Sequence, residues 1–263
     1  MNSMFRPVLV LLVIAAVALT STNNVKAADV DAGADVATAY VFRGKTLNDS
    51  WVVQPYLAVG NSDKHEWLQP LTLGVWANFD LDDNKGGDPE SGQFSEIDLY
   101  ASYELPINSE HASLSVGYIE YVYPSASPVV RSPGAVAVDT DADRELNLIA
   151  KCENTLLSPE VAVYWGVEGP NLKDIWEFQL SGSHDEPLNA DENLLLNLGG
   201  TVSFRYDDSD TPGTDDGVSY VLLSAGLSYS IFSARADFWI ETDDKVQMID
   251  DEVVGVFGIG GAM

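Results

Sequence analysis

Phe94-Ser95-Glu96-Ile97-Asp98-Leu99-Tyr100-Ala101-Ser102-Tyr103-Glu104-Leu105 alternates without a break. Ile97, Leu99, Ala101, Tyr103 and Leu105 fall on one side, and Glu96, Asp98, Tyr100, Ser102 and Glu104 on the other. Successive strand side chains point to opposite faces, so the segment reads as one strand with an apolar face and an acidic one. A helix would scatter both sets around its axis. The same period recurs. Leu71, Leu73, Val75, Ala77 and Phe79 oppose Thr72, Gly74, Trp76, Asn78 and Asp80. Trp176, Phe178 and Leu180 oppose Glu177, Gln179 and Ser181, and Ala236, Phe238 and Ile240 oppose Arg235, Asp237, Trp239 and Glu241.

Working outward from this pattern, strands are expected at Asp35–Gly44, Val52–Gly60, Gln69–Leu81, Gln93–Leu105, Ala112–Tyr123, Asp143–Glu153, Glu160–Glu168, Asp174–Ser183, Glu192–Tyr206, Ser219–Ser230, Ser233–Glu241 and Glu252–Gly261. That is about twelve strands of roughly ten residues, the number and length expected of an outer-membrane barrel. The gaps between them sort by parity. Asp82–Gly92, Pro124–Ala142 and Asp207–Gly217 are long odd gaps, while Pro106–His111, Asn154–Pro159 and Ile231–Phe232 are short even ones. Long loops at one mouth and short turns at the other are the habit of up-and-down membrane barrels. A Greek-key sandwich has no reason to sort its loops this way. Tyr40, Phe42, Tyr118, Trp165, Trp176, Phe204 and Tyr229 fall on apolar faces toward strand ends, where interfacial aromatic girdles sit.

The 263 residues carry 41 Asp and Glu against 13 Lys and Arg, a net charge of −28. That excess excludes a nucleic-acid partner, whose phosphates need a basic footprint. The lone Cys152 excludes an intramolecular disulfide and reads as a small apolar strand residue. Arg6 followed by the apolar run Pro7–Leu19 reads as a secretory signal, with Val25-Lys26-Ala27 placing cleavage after Ala27. Residues 1–27 are thus expected to be a signal peptide and 28–263 a single barrel domain. No later segment is long and apolar enough to cross a bilayer as a helix.

If the barrel closes, its polar face becomes a lumen wall. Asp80, Glu96, Asp98, Glu104, Glu177, Asp237 and Glu241 then point inward, with Arg43, Lys151, Arg205 and Arg235 as counter-charges. Rings of Asp or Glu favour cations, so an acidic path for small cationic solutes is one expectation. The other is a plugged interior in which the same charges pair and brace the wall. Metal-ligand candidates are Asp80, Asp82 and Asp83 in a segment that starts like an EF-hand loop, and Asp139, Asp141 and Asp143. Lys85 stands where the EF-hand turn needs glycine, so solvated acidic turns are the plainer reading. Divalent cations at these loops and outer-membrane lipid around the wall are the expected partners; no cofactor is expected. No nucleophile elbow, zinc-helix or phosphate-loop motif occurs, so no enzyme is expected. His65, His111 and His184 all fall in expected even-numbered turns.

The run Tyr40-Val41-Phe42-Arg43-Gly44 stands soon after the signal, followed by a polar turn and Val53-Gln54-Pro55-Tyr56-Leu57-Ala58-Val59. It resembles a family of uncharacterised outer-membrane proteins of Gram-negative bacteria, as does the run Gly92–Tyr103. The resemblance implies a barrel and an outer-membrane location and brings no catalytic residues. One departure is the closing strand, which ends Phe257-Gly258-Ile259-Gly260-Gly261-Ala262-Met263 where such barrels usually end on an aromatic residue.

The expected fold is therefore all-β: an antiparallel up-and-down transmembrane β-barrel of about twelve strands. The leading functional expectation is a passive channel with an acidic lumen. The alternatives are a non-conducting structural or interaction barrel whose acidic outer loops contact ions or glycans, and a soluble periplasmic β-sandwich binding module.

Overall fold

The alternating runs pair edge to edge until the last meets the first. The computed structural model describes residues 29–60, 70–82, 91–107, 109, 111–125, 142–152, 155–208, 216–240, 242 and 251–262. Its strands are β1 (Asp29–Ala37), β2 (Tyr40–Phe42), β3 (Lys45–Asn48), β4 (Val52–Gly60), β5 (Leu71–Asp80), β6 (Phe94–Glu104), β7 (Ala112–Val122), β8 (Ala142–Cys152), β9 (Glu160–Glu168), β10 (Ile175–Pro187), β11 (Leu194–Asp207), β12 (Gly217–Tyr229), β13 (Phe232–Ile240) and β14 (Glu252–Ala262). Twelve of them form a closed antiparallel barrel in which β1 lies between β14 and β4. The remaining two, β2 and β3, form a separate two-stranded hairpin. The expectation of a twelve-strand antiparallel barrel is met. The signal segment, Asp83, Asp139, Asp141, His65 and Glu241 lie outside the described residues.

The first expected strand needs correction. Asp35–Gly44 is not one strand: the wall strand ends at Ala37 and the chain then turns away. Thr38 makes the turn, its N–H donating to the Gly255 carbonyl and its hydroxyl oxygen accepting from the Gly255 N–H, both at 3.0 Å. Tyr-Val-Phe is extended and alternates like any strand, which is why it reads as a continuation. Arg43 and Gly44 then both take positive φ, 48° and 82°. Two left-handed residues in a row make the tight turn that suits a two-residue hairpin loop, and glycine takes one of the two places without strain. Lys45–Asn48 returns against Tyr40–Phe42.

The register places the opening strand's two faces as expected. Asp98 of β6 lies opposite Trp76 of β5 and Tyr121 of β7, and Leu99 lies opposite Val75 and Glu120. Leu99, Leu73, Leu148, Leu180, Leu223, Leu227 and Phe238 are large, apolar and exposed on the outer wall. Near the end of the wall that carries the longer loops, this belt meets stacked Trp165 and Trp176, with ring centroids 5.2 Å apart. Above these rings Arg144 bridges Glu120 at 3.2 Å and Glu168 at 2.5 Å. Tyr118, Phe204 and Tyr229 also sit on the outer wall, whereas Tyr40 and Phe42 do not; both belong to the hairpin.

A small apolar core lies inside the barrel, unlike in a globular domain. Ala37, Ala39, Tyr40, Val52, Val254 and Val256 are buried together, with Val41, Phe42, Leu47, Trp76 and Trp239 packed against them. The farther half of the lumen is built differently, with glycines facing tyrosine rings on neighbouring strands. There Tyr100 lies flat over Gly74 of the next strand, where any added Cβ would collide with the ring. No helix among the described residues is long and apolar enough to cross a membrane, which leaves crossing by strands open.

Candidate functional site

The hairpin's contacts show that it lies inside the barrel. Tyr40 packs on Trp76 of β5 with centroids 5.5 Å apart and donates from its hydroxyl to Glu96 of β6 at 2.8 Å. Phe42 meets Tyr121 of β7 edge-on at 5.6 Å. Arg43 reaches β8, and its guanidinium also lies over the Tyr164 ring of β9, 4.3 Å from the centroid. Thr46 donates to Glu252 of β14 at 3.3 Å. One short hairpin can touch β5, β6, β7, β8, β9 and β14 only from within.

Arg43 is the centre of this plug. Its Nη1 and Nη2 donate to Glu145 Oε2 and Oε1 at 2.8 and 2.7 Å, a bidentate pair with both side chains nearly dry. Tyr121 donates a third bond to Glu145 at 3.1 Å. A planar guanidinium matches a carboxylate in this fork, which fixes direction as well as charge. Burial works against the charge on Arg43, but Tyr121 and Glu145 outweigh it and hold the guanidinium well above its ordinary pKa. Burial also pushes the Tyr40 phenol well above its ordinary value, helped by the Glu96 and Asp98 carboxylates, so it remains a donor. A non-glycine residue at positive φ costs about 1–2 kcal/mol. Arg43 holds that conformation at the hairpin tip.

The hairpin's return end is tied as firmly. Asn48, fully buried, donates to Asp80 at 2.7 Å, and Asn78 donates to the same oxygen at 3.1 Å. Asp80 is thus buried and anchors the hairpin through Oδ1, while its Oδ2 is buried with no partner among the described residues. Asp143 serves a neighbouring segment in the same way. It accepts from the Asn171 N–H at 2.9 Å, the Asn171 amide at 2.8 Å, the Leu172 N–H at 3.0 Å and the Tyr123 hydroxyl at 3.0 Å. Asp82 is exposed. Among the described residues no three His, Cys, Asp or Glu side chains gather in a geometry for a metal ion.

The other expected lumen residues divide by height. Glu96 and Asp98 lie on β6 beside the plug, facing Tyr40 and Tyr121. Glu177 is buried on β10 and accepts from the hydroxyls of Ser203 and Ser219. Arg205 donates to Asp207 at 3.3 Å. Arg235 donates to Asp237 at 2.9 Å and lies 3.9 Å from Asp35. Lys151 and Glu104 are not brought into this cluster. Lys151 lines a separate cavity of about 210 Å³ at the far end with Glu160, Ser181, Thr201 and Ser224, and Glu104 is exposed where β6 ends.

Several contributors were not among the expected lumen residues, among them Glu145, Tyr121, Asn48 and Tyr164. Glu145 was legible, because Asp143, Glu145, Asn147, Ile149 and Lys151 share one face of β8. Asn48 and Tyr164 carry no such signal. His184 also differs from expectation, lying within β10 rather than in a turn, because β10 and β11 stay paired as far as Pro187 and Leu195. It interacts with Glu186 at 3.2 Å, and no serine hydroxyl bonds the imidazole of His184 or His111 among the described residues.

Residues 22–146 match a family described as a bacterial protein of unknown function, Gcw_chp. No curated protein matches the chain. Among solved structures, an outer membrane channel from Pseudomonas putida F1 is similar over 93% of this chain and 98% of its own, at 8% identity and a TM-score of 0.48. Outer membrane phospholipase A from Escherichia coli is similar over 88% of this chain and 91% of its own, at 11% identity and a TM-score of 0.44. LpxR from Salmonella typhimurium is similar over 88% and 99%, at 12% identity and a TM-score of 0.43.

Proposed function

We propose that this closed twelve-strand barrel sits in a bacterial outer membrane, is shut at rest by its own first hairpin, and passes small cations through an acidic lumen once the hairpin leaves. The observation that carries the reading is the forked Arg43–Glu145 bond, made inside the lumen between a loop residue and a wall residue. A bond that only braced the wall would join strand to strand. This one joins the wall to a segment whose two ends, Ala37 and Val52, are direct register partners on adjacent strands. The hairpin can swing out without breaking a wall ladder.

The outer belt supports the membrane position. Leu223, exposed on mid-β12 between Gly200 and Phe238, faces where lipid would be. Leu223→Arg is expected to lower barrel stability in lipid by about 2–4 kcal/mol, the cost of a cation on the lipid face near the midplane. Folding titrations into bilayers, read by heat-modifiable gel mobility, measure it. An unchanged midpoint would mean that this face does not meet lipid.

The function is tested by conductance in planar bilayers. Wild type is expected to stay closed. A variant with residues 39–50 replaced by a short Gly-Ser link is expected to conduct steadily and to favour cations. Equal current from both would remove the gate, and no current from either would leave a structural barrel. In the opened variant, Glu96→Gln with Asp98→Asn and Glu177→Gln is expected to reduce cation preference severalfold, read as a reversal-potential shift in a salt gradient. An unchanged reversal potential would show that these carboxylates do not face the path.

A further inference from the structure

A second cavity, of about 760 Å³, lies on the loop side of the plug. It is lined by Phe42, Arg43, Lys45 and Leu47 of the hairpin, by the 169–175 segment that Asp143 anchors, and by Glu177, Arg205 and Asp207 of the wall. In a chain of net charge −28, four of the 13 Lys and Arg residues converge here: Arg43, Lys45, Lys173 and Arg205. The acids that share the cavity are partly spent. Glu177 is held by two serine hydroxyls, and Lys173 lies 4.0 Å from Asp174.

Arg205 is the under-used member. A guanidinium offers five N–H donors. Arg205 Nη2 makes one long ion-pair bond, 3.3 Å to the nearly dry Asp207 carboxylate, and its buried Nε has no partner among the described residues, so a ligand in the cavity would meet the terminal nitrogens. Lys45, exposed just past the hairpin turn, has no ammonium partner among the described residues. A half-buried guanidinium with spare terminal donors, flanked by two exposed ammonium groups, suits an oxyanion with more than one charge.

We infer that this cavity is a binding site for a small, soluble, multiply charged oxyanion, a polycarboxylate or phosphate ester, gripped by Arg205 with Lys45 and Lys173. The cavity is bounded by the inner wall, the hairpin and the 169–175 segment, not by residues of the outer apolar belt, which favours a ligand from solution over one from the lipid face. Arg43 lines the same space, but both of its terminal nitrogens are engaged by Glu145, which leaves the grip to the other three cations. The site does not depend on whether the barrel conducts.

The test is calorimetric titration of the full-length barrel in a non-ionic detergent with pyrophosphate and, separately, with citrate. Saturable binding of at least one is expected, weakened tenfold or more by Arg205→Gln. Lys151→Gln, at the other end of the lumen, should leave it unchanged. Should Arg205→Gln fail to fold, Lys45→Gln with Lys173→Gln, both at exposed positions, is expected to weaken binding severalfold. No saturable heat with either anion overturns the inference, as does equal binding by the Arg205 variant. Lipopolysaccharide phosphates share this chemistry. Binding of lipopolysaccharide with no response to either free anion would overturn the assignment to a soluble ligand.

Discussion

Bilayers containing the Arg43→Ala barrel are expected to carry a current that the wild-type barrel does not. The substitution leaves Glu145 buried with its main counter-charge gone and only the Tyr121 hydroxyl to answer it. Removing one partner of a buried ion pair costs about 3–5 kcal/mol. Every 1.4 kcal/mol is tenfold in an equilibrium, so the in–out balance of the hairpin should move by roughly two to three and a half powers of ten. Tyr40 on Glu96 and Asn48 on Asp80 still hold the hairpin, so openings are expected to be intermittent rather than permanent. Arg43→Ala combined with Glu145→Leu separates lost attraction from stranded charge. If stranded charge drives the opening, the double variant should conduct less than the single one. A silent Arg43→Ala barrel, folded by heat-modifiable mobility, would show that the fork does not hold the gate.

Asp143→Ala is expected to cause the largest loss of stability among the substitutions considered. It removes one buried carboxylate and leaves two backbone N–H groups, a side-chain amide and a phenol without their acceptor. Each donor left buried and unanswered costs about 1–3 kcal/mol, so a total on the order of 3–6 kcal/mol is expected once some of them find water. The damage should be local first: limited proteolysis should cut between residues 169 and 174 in the variant and not in wild type. Asp143→Asn, which keeps one oxygen, should lose about half as much. Calcium or a chelator should change neither result, because Asp143 is spent on protein donors. A wild-type melting point that rises with calcium would instead make Asp143 a metal ligand.

Much of the barrel is legible in the sequence. Ile97, Leu99 and Ala101 against Glu96, Asp98 and Tyr100 carry a period of two, and a closed sheet keeps that period on every strand. The polar face of β5, β6 and β10 could be named residue by residue for the same reason. Tyr40–Gly44 was not legible as a plug, because an inward hairpin and a wall strand share one local pattern. What separates them is the Arg43-Gly44 turn, and a single Gly after a basic residue is a weak signal. Glu145, the carboxylate that Arg43 forks, lies 102 residues away, and nothing local announces such a pairing. Asp80 and Asp143, at strand ends beside acidic turns, could be read both as strand residues and as ion ligands, because sequence shows charge without showing which donors surround it.

The seam between β1 and β14 has a consequence for the order of assembly. Thr38, at the root of the hairpin, bonds Gly255 across 217 residues of chain, and Thr46 bonds Glu252 across 206. Contacts this distant in sequence form late, because the intervening chain must be gathered first. The hairpin can settle on β5 and β6 as soon as the N-terminal half is in place, but its bonds to β14 wait for the final strand to dock. A barrel that has not closed therefore carries a half-seated plug. The segment that sits inside the lumen is also the one whose bonds depend on the wall around it being complete.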